Sequence, residues 1–284
     1  MPEGWSLAIP ATVVFLVAGS FLNVVIFRLP RMLERQWGDE ARELLHIALP
    51  ARPRFDLMRP GSRCPACEHP IAPWLNVPLA SWIVLRGRCR YCGERIPARY
   101  PLVEALAAAL GLVVLHAWGL QWITVGWLLF TWSLIVLAFI DRDTQLLPDQ
   151  ITLPLLWGGL VAAILFDHVT PVDAIAGAAL GYAVLWALYW AFRWVTGREG
   201  MGHGDFKLLA AIGAWLGWQA LPAVVLIAST LGLAWAVVAI LLKTMRRQDP
   251  MPFGPFLAAG GWLGLVFREE LTLFAWPAAR LAHG

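Results

Sequence analysis

Eight apolar runs dominate the sequence and limit the folds that are open to it. A helix needs about 20 apolar residues to cross a hydrocarbon core roughly 30 Å thick, and most of these runs approach that length. The runs cover residues 7–27, 101–118, 122–140, 151–166, 174–192, 208–218, 221–242 and 255–274. The sequence therefore predicts an all-α integral membrane protein with about eight transmembrane helices.

The composition agrees with a membrane protein. The chain is 59% hydrophobic and 14% charged, whereas soluble proteins average about 25% charged residues. The 17 tryptophans suit a chain that crosses the bilayer interface repeatedly, because indole rings are favoured there. The expected partner is therefore the lipid bilayer. A net charge of +3 gives no reason to expect nucleic-acid binding.

The sixth run, 208–218, is too short to span a bilayer alone. Two explanations stay open. The helix extends towards the N-terminus through Asp205 and its neighbouring glycines, or it lies beside a water-filled part of the protein, where irregular backbone is tolerated.

Basic residues predict the orientation of the chain. Glu3 is the only charge before the first run, and Arg28 and Arg31 follow it, so we expect an anchor rather than a cleavable signal peptide. Most of the 22 Lys and Arg residues lie in segment 28–100 or at later ends on the same side. Because cytoplasmic loops carry the excess of Lys and Arg, we expect both termini in the periplasm and this side in the cytoplasm.

The polar segment 28–100 contains two Cys-x-x-Cys pairs, Cys64 with Cys67 and Cys89 with Cys92. Four thiolates are the set that a structural Zn²⁺ needs for closed tetrahedral coordination, so the spacing predicts a zinc-ribbon-like loop. The alternatives are two disulfides or four unlinked thiols. A reducing cytoplasm disfavours disulfides, and the paired spacing disfavours unlinked thiols. Between the pairs, the apolar segment 71–85 is too short to span, and we expect it at the interface or re-entrant.

Four aspartates lie at the predicted cytoplasmic boundary, where a carboxylate next to hydrocarbon is a functional candidate. Asp143 is interpreted as a solvated loop residue and Asp149 as the N-cap of the fourth span. Asp205 fits an N-cap and a catalytic role equally well. Asp141 follows an apolar run and would lie at a helix C-terminus, where the macrodipole disfavours a negative charge.

Two carboxylates in a partly dry site share one proton at intermediate pH, which is the requirement for aspartic protease chemistry. One carboxylate takes a proton from water while the protonated partner binds the scissile carbonyl. The glycines at 202 and 204 would let a substrate backbone approach Asp205 closely, or would only permit a tight turn.

In combination, several motifs resemble those of the bacterial type 4 prepilin peptidases, membrane aspartic proteases of the G-x-G-D type. The resemblance covers nearly the whole chain except residues 31–59. The motifs are FID ending at Asp141, LLPDQ at 146–150, GMGHGDFKLL at 200–209, GSFLNVVIFRLP at 19–30, CPAC, CRYC, RYPLVE at 99–104 and PFGPF at 252–256.

This resemblance implies that Asp141 and Asp205 are the catalytic pair and that the four cysteines bind zinc. The implied substrates are prepilins and pilin-like secretion subunits, cut after a Gly on the cytoplasmic side of the inner membrane. It also implies methylation of the new N-terminus with S-adenosylmethionine, although the sequence shows no glycine-rich nucleotide-binding fingerprint. The expected divisions are a first helix at 1–27, the cysteine loop at 28–100 and a peptidase domain at 101–284.

Other readings stay open from the residues alone. A proton-coupled transporter also uses membrane carboxylates, but no internal repeat is evident. The cysteine loop would alternatively be an assembly scaffold without chemistry. Glu104 either serves a site or is favoured by the dipole at a helix N-terminus, and His203 either lines the site or is a variable position. The small-xxx-small patterns at 177–181 and 213–217 are interpreted as helix packing.

Overall fold

The computed structural model describes residues 3–64, 66–197, 201–246 and 251–268, and these residues form helices and loops without an extended strand. This confirms the predicted all-α class. The chain divides between His116 and Ala117 into two compact units. The helices are α1 Glu3–Leu44, α2 Ala80–Val84, α3 Arg99–Trp118, α4 Trp122–Thr144, α5 Asp149–Phe166, α6 Pro171–Thr196, α7 His203–Leu216, α8 Leu221–Leu241 and α9 Gly254–Val266.

Six helical stretches in the described part are long and apolar enough to cross a membrane. They comprise α1, α3, α4, α5, α6 and a stretch from Trp218 that includes α8. The remaining two predicted runs fall in α7 and α9, which have 14 and 13 residues. Residues 269–274 of the last run lie outside the described residues, and a total of eight spans stays a prediction.

The first helix is longer than the sequence predicts. The apolar run stops at Phe27, but α1 continues to Leu44 and has 42 residues in all. At 1.5 Å per residue the helix is about 63 Å long, roughly twice what a hydrocarbon core requires. Its second half is polar but rich in Glu, Arg and Leu, which favour helix, and Leu29, Leu33 and Trp37 recur at helical spacing. The segment from residue 28 therefore begins as helix, and not as a loop.

Within the first unit, α1 and α3 approach closely at glycines. A side chain on Gly19 would place its Cβ 2.7 Å from the Cα of Glu104, and one on Gly111 would meet the ring of Phe15 at 2.9 Å. Asn23 of α1 donates from Nδ2 to the carbonyl of Tyr100 at 3.0 Å. Small residues and side-chain hydrogen bonds of this kind hold helices together where lipid replaces water.

The second unit is organised around α7, which is buried at every residue from Leu208 to Leu216. It packs against α5, α6 and α9. Gly177 of α6 and Gly213 of α7 face each other so closely that a Cβ on either would lie 2.2 Å from the other's carbonyl oxygen. Gly181 meets the Leu209 carbonyl oxygen in the same way, at 2.6 Å. The two small-residue patterns therefore pack α6 against α7, as predicted.

A buried tryptophan fixes the other end of α7. Trp215 is 4% exposed and donates from Nε1 to the carbonyl of Leu155 in α5 at 2.8 Å. A Cβ on Gly126 or Gly159 would press on its ring, at 3.0 Å and 2.7 Å respectively. The ring thus occupies space that these glycines leave free, which sets the position of α7 relative to α4 and α5.

Candidate active site and metal centre

Asp141 lies in the last turns of α4 and is 5% exposed. Its Oδ2 accepts a hydrogen bond from the backbone N–H of Gly254 at 2.9 Å. Gly254 is the first residue of α9, in the PFGPF motif. A carboxylate that is unfavourably placed at the end of its own helix thus receives a donor from the start of another.

Asp205 lies in the first turn of α7 and is 6% exposed. Gly202 is the N-cap of α7 and makes no side-chain cap bond, so the structure does not support Asp205 as an N-cap. α7 begins at His203, which means that the sixth predicted run extends through Asp205. Among the described residues, Oδ1 of Asp205 is buried and has no hydrogen-bond partner.

The structure brings Asp141 and Asp205 together. Their carboxyl groups interact electrostatically, although 63 residues of chain separate them. The meeting depends on helix packing, because α9 contacts both α4 and α7. Two buried carboxyl groups whose charges interact do not ionise together easily, and a pair that shares one proton is the requirement for aspartic protease chemistry.

The two glycines before Asp205 have different surroundings. A Cβ on Gly204 would lie 2.7 Å from the Cβ of Leu147, so this glycine lets α7 pack against the segment that follows α4. A Cβ on Gly202 would meet only Oδ2 of Asp205, at 3.7 Å, which is ordinary contact. Its φ of −78° does not require glycine either. Packing in the described structure explains Gly204, whereas no contact among the described residues requires glycine at position 202.

The other two boundary aspartates lie outside the pair. Asp143 is exposed, as predicted, but it lies in the last turn of α4 and not in a loop. Asp149 is not the N-cap of α5, because Pro148 occupies that position. The Asp149 carboxylate instead accepts hydrogen bonds from Lys207 Nζ at 2.7 and 2.8 Å. The cap prediction is wrong because the preceding proline starts the helix and the carboxylate turns towards α7.

His203 is exposed at the start of α7, and its ring lies 5.1 Å from the Tyr189 ring and 5.3 Å from the Phe206 ring. These ring contacts give it a packing role. A direct part in the chemistry stays untested.

The four cysteines of the first unit meet at one point. Their sulfur atoms all lie within 4.8 Å of one another, and Sγ of Cys64 and Sγ of Cys92 are 3.8 Å apart. None of the four forms a disulfide. Tetrahedral coordination at a Zn–S distance of about 2.3 Å separates the sulfurs by about 3.8 Å. The donor set and the spacing therefore fit a zinc ion held by Cys64, Cys67, Cys89 and Cys92.

Two matching turns build this cluster. Cys64 N–H donates to the His69 carbonyl at 3.0 Å, and Cys89 N–H donates to the Glu94 carbonyl at 2.8 Å. In each turn the residue after the second cysteine has a positive φ, 55° at Glu68 and 73° at Gly93. Backbone N–H groups of Cys92 and Tyr91 lower the pKa of the Cys89 thiol to about 7, which favours the thiolate that metals bind.

Glu104 ties the segment between the cysteine pairs to α3. It is 8% exposed, and its Oε2 accepts a hydrogen bond from the backbone N–H of Leu79 at 2.8 Å. Leu79 has a φ of 57°, a conformation that is costly for a branched side chain. The contact fixes the start of α2 and gives the carboxylate a structural task in the first unit.

The backbone amide of Gly254 is the site group that the sequence did not single out. The PFGPF motif was noted only for its resemblance to the family. A backbone N–H is present in every residue except proline, so residue identity does not reveal its role. A glycine beside a proline at the start of an apolar run was the available clue, because it marks a helix start whose orphan amides need an acceptor.

Known proteins give the family of the chain. Residues 13–118 match the bacterial peptidase A24 N-terminal domain, and residues 128–237 match the type IV leader peptidase family. A prepilin leader peptidase/N-methyltransferase of Aeromonas salmonicida is 54% identical over 90% of this chain and 89% of its own. Proteins of the same name from Aeromonas hydrophila and Dickeya chrysanthemi are 53% and 50% identical, covering 90% and 93% of this chain and 89% and 93% of their own.

No solved structure matches the fold. The two family matches follow each other along the chain, and the relatives align over most of its length. The resemblance seen in the motifs is therefore confirmed, and the chain belongs to the type IV leader peptidase family, with the bacterial N-terminal domain that its relatives share.

Proposed function

We propose that this protein is a membrane aspartic endopeptidase that removes the leader of type 4 prepilins and methylates the new N-terminus. Membership of the family and the names of its relatives support both activities. The single observation that carries the peptidase is the buried, interacting pair of Asp141 and Asp205. A proton-coupled transporter is not favoured, because the relatives are named as peptidases and methyltransferases.

The substrates are prepilins and pilin-like secretion subunits, in which a short basic leader ends in Gly and a hydrophobic helix follows. The protein is a multi-pass membrane protein, and we place it in the bacterial inner membrane with the start of α1 in the periplasm. Asp141 and Asp205 then lie at the cytoplasmic boundary, where the leader arrives. The excess of basic residues on that side supports this orientation.

In the peptidase reaction, water attacks the carbonyl carbon of the bond after the leader Gly. One aspartate takes a proton from the water, and the other, protonated, donates a hydrogen bond to the carbonyl oxygen. The roles exchange when the amide nitrogen is protonated and leaves. We place the substrate backbone beside Gly202, which is exposed and whose added Cβ would lie 3.7 Å from Oδ2 of Asp205.

The methyl transfer uses S-adenosylmethionine as a second substrate. The free amine that cleavage exposes bonds to the methyl carbon as the bond from that carbon to sulfur breaks, and S-adenosylhomocysteine and one proton are released. The complete N-terminal domain at 13–118 supports this activity, because the named methyltransferase relatives align across it. The residues that bind the methyl donor are left unassigned.

Zinc has a structural role in this proposal. When bound, it is held by Cys64, Cys67, Cys89 and Cys92, which fill all four coordination positions. A closed site of this type stabilises the loop around it and leaves no open position for substrate. The chemistry of peptide cleavage therefore rests on the aspartates alone.

The test is an incubation of the purified protein, in detergent or lipid, with a prepilin and S-adenosylmethionine. Mass spectrometry then reads the N-terminus of the product. We expect loss of the leader together with a gain of about 14 Da, the mass of one CH₂ group. Leader loss without the gain contradicts the methyltransferase, and an intact prepilin beside folded protein contradicts the peptidase.

A further inference from the structure

The two aspartates receive unequal support from the atoms around them. Asp141 accepts a hydrogen bond from the Gly254 N–H at 2.9 Å. Oδ1 of Asp205 is buried and has no partner within the described residues. A buried carboxylate oxygen without a donor loses the hydration that stabilises its charge, whereas a charge-assisted bond from an N–H group restores part of it.

Both carboxyl groups lie near the N-terminus of a helix, so helix ends alone do not separate them. Gly254 is the first residue of the 13-residue α9, so its N–H belongs to the positive end of that helix. Asp205 also has a favourable helix end, since it lies in the first turn of α7 and its carboxyl group contacts the Gly202 amide. The unpartnered Oδ1 still distinguishes it, because a protonated carboxyl group tolerates that environment better than a charged one.

We propose that Asp141 begins the reaction ionised, that Asp205 carries the shared proton, and that Gly254 is the positioning residue which fixes this order. The inference rests on the proposed peptidase function and assigns the roles within its site. Asp141 is then the base that activates water, and Asp205 is the acid that polarises the scissile carbonyl.

The proton balance of the reaction follows. Asp141 removes one proton from water as the water oxygen bonds to the carbonyl carbon, and Asp205 gives its proton to the carbonyl oxygen. Asp141 then passes its proton to the amide nitrogen, the carbon–nitrogen bond breaks, and one hydroxyl of the intermediate returns a proton to Asp205. The pair ends as it began, and one water has been added across the peptide bond.

Steric fit explains why position 254 needs glycine. A Cβ there would lie 2.7 Å from Oδ2 of Asp141 and 3.0 Å from its Cγ. A real side chain would therefore displace the carboxyl group and stretch or break the bond from the N–H. Gly232 offers a matched control, because a Cβ there meets Phe256 and Met251 of the same neighbourhood no closer than 3.4 Å.

Other ionisable groups near the pair are few. Helices α8, Leu221–Leu241, and α9, Gly254–Val266, contain no ionisable side chain. The carboxylate at the start of α5 is paired with Lys207 of α7. The other ionisable residues on the helices packed around the pair are Arg142 and Asp143 on α4, Asp173, Tyr182, Tyr189 and Arg193 on α6 and His203 on α7.

The test compares single-turnover prepilin cleavage by the wild type, Gly254→Ala and Gly232→Ala across pH. Without the hydrogen bond from Gly254, ionised Asp141 is less stable. Asp141 is ionised both when the pair holds one proton and when it holds none, so only the first ionisation of the pair becomes less favourable. The acid limb of the rate profile should therefore move up by about one pH unit while the alkaline limb stays in place. Gly232→Ala should follow the wild type.

If Asp205 were the ionised partner, the alkaline limb would move and the acid limb would not, and that result overturns the proposal. Superposed profiles for Gly254→Ala and wild type also overturn it. A wild-type chain that leaves the prepilin intact contradicts the proposed function itself, which is a separate outcome.

A second measurement needs no variant. A small epoxide alkylates an ionised carboxylate, and a nearby acid protonates the opening ring oxygen. Peptide mapping of epoxide-treated wild-type protein should find the ester on Asp141. An ester on Asp205 overturns the assignment even if Gly254→Ala fails to accumulate.

Discussion

The cysteine cluster and the aspartate pair are assembled in opposite ways. Each cysteine pair is closed by its own turn, through bonds such as Cys64 N–H to the His69 carbonyl. Asp141 and Asp205 meet because α4, α7 and α9 pack together, and no local turn joins them. The cysteine turns are short-range structures, whereas the aspartates depend on the packing of the whole second unit.

The two sites also differ in how well their polar groups are satisfied. Four thiolates around one zinc ion fill all four coordination positions, so each sulfur has the metal as its partner. Within the part of the chain that the structure describes, the aspartate pair keeps a buried oxygen without a partner, Oδ1 of Asp205. A buried unsatisfied group is one feature of reactive sites, and it agrees with the proposal that the cysteines form a structural centre and the aspartates a reactive one.

The largest effect on stability is expected from Gly213→Ala. Its Cβ would meet the Gly177 carbonyl oxygen at 2.2 Å, so α6 and α7 must separate. We expect a loss of about 3 kcal/mol or more in folding free energy, with lower accumulation in the membrane and loss of cleavage. The cysteine cluster should still bind zinc in this variant.

Thermal unfolding and metal analysis of the purified variant measure both consequences. Gly158→Ala is the control, because a Cβ there lies 3.6 Å from the Trp215 ring, an ordinary contact. Unchanged stability in Gly213→Ala would show that the aspartates do not depend on this packing.

Removal of a cysteine should break the other centre. Cys64→Ser takes away a ligand that is 6% exposed, and we expect loss of bound zinc and greater protease sensitivity in the loop that contains the four cysteines. Structural zinc sites contribute directly to folding, so a chelator should have the same effect on wild-type protein. The control is Arg90→Ser, at an exposed position inside the second pair. Wild-type protein that holds no metal with its cysteines reduced would contradict the centre.

The glycines at 202 and 204 separate packing from access. Gly204→Ala presses on Leu147 and should cost about 1–3 kcal/mol of stability. Gly202→Ala should change stability by less than about 0.5 kcal/mol and mainly slow cleavage, because the new methyl group narrows the space beside Asp205. In these measurements Gly204→Ala should have the lower thermal stability, and Gly202→Ala should have the lower cleavage rate. Equal losses of stability would remove the distinction.

The smallest effect is expected from Lys207→Ala. The ion pair with Asp149 is partly exposed, with the two side chains 33% and 49% accessible, and such pairs contribute about 0–1 kcal/mol. A shift in unfolding free energy above this range, measured against Asp149→Asn, would show that the pair helps to place α7.

Much of the fold followed from hydrophobic length, since every apolar run falls in a helix within the described residues. The cysteine cluster followed from spacing, because two short pairs are local. The extension of α1 to Leu44 did not, because hydrophobic length marks only the membrane part of a helix, whereas the later helical residues show only the spacing of Leu29, Leu33 and Trp37. The cap prediction for Asp149 failed because side-chain direction depends on a partner that is distant in sequence, here Lys207.

The sequence predicted which residues form the candidate site, but not which atoms surround them. Asp141 and Asp205 stood out as carboxylates beside apolar runs, and resemblance to the family paired them. The bond from Gly254 and the unpartnered oxygen of Asp205 are products of packing. These two features separate the roles of otherwise equivalent residues, so the sequence left that choice open.

The most direct test of the central claim is prepilin cleavage by purified Asp141→Asn and Asp205→Asn, with Asp143→Asn as the exposed control. The account predicts that each of the first two lowers the single-turnover rate by at least about a thousandfold, while both proteins accumulate and unfold like wild type. The control should cleave normally. A folded Asp141→Asn or Asp205→Asn variant that cleaves at the wild-type rate would contradict the catalytic pair.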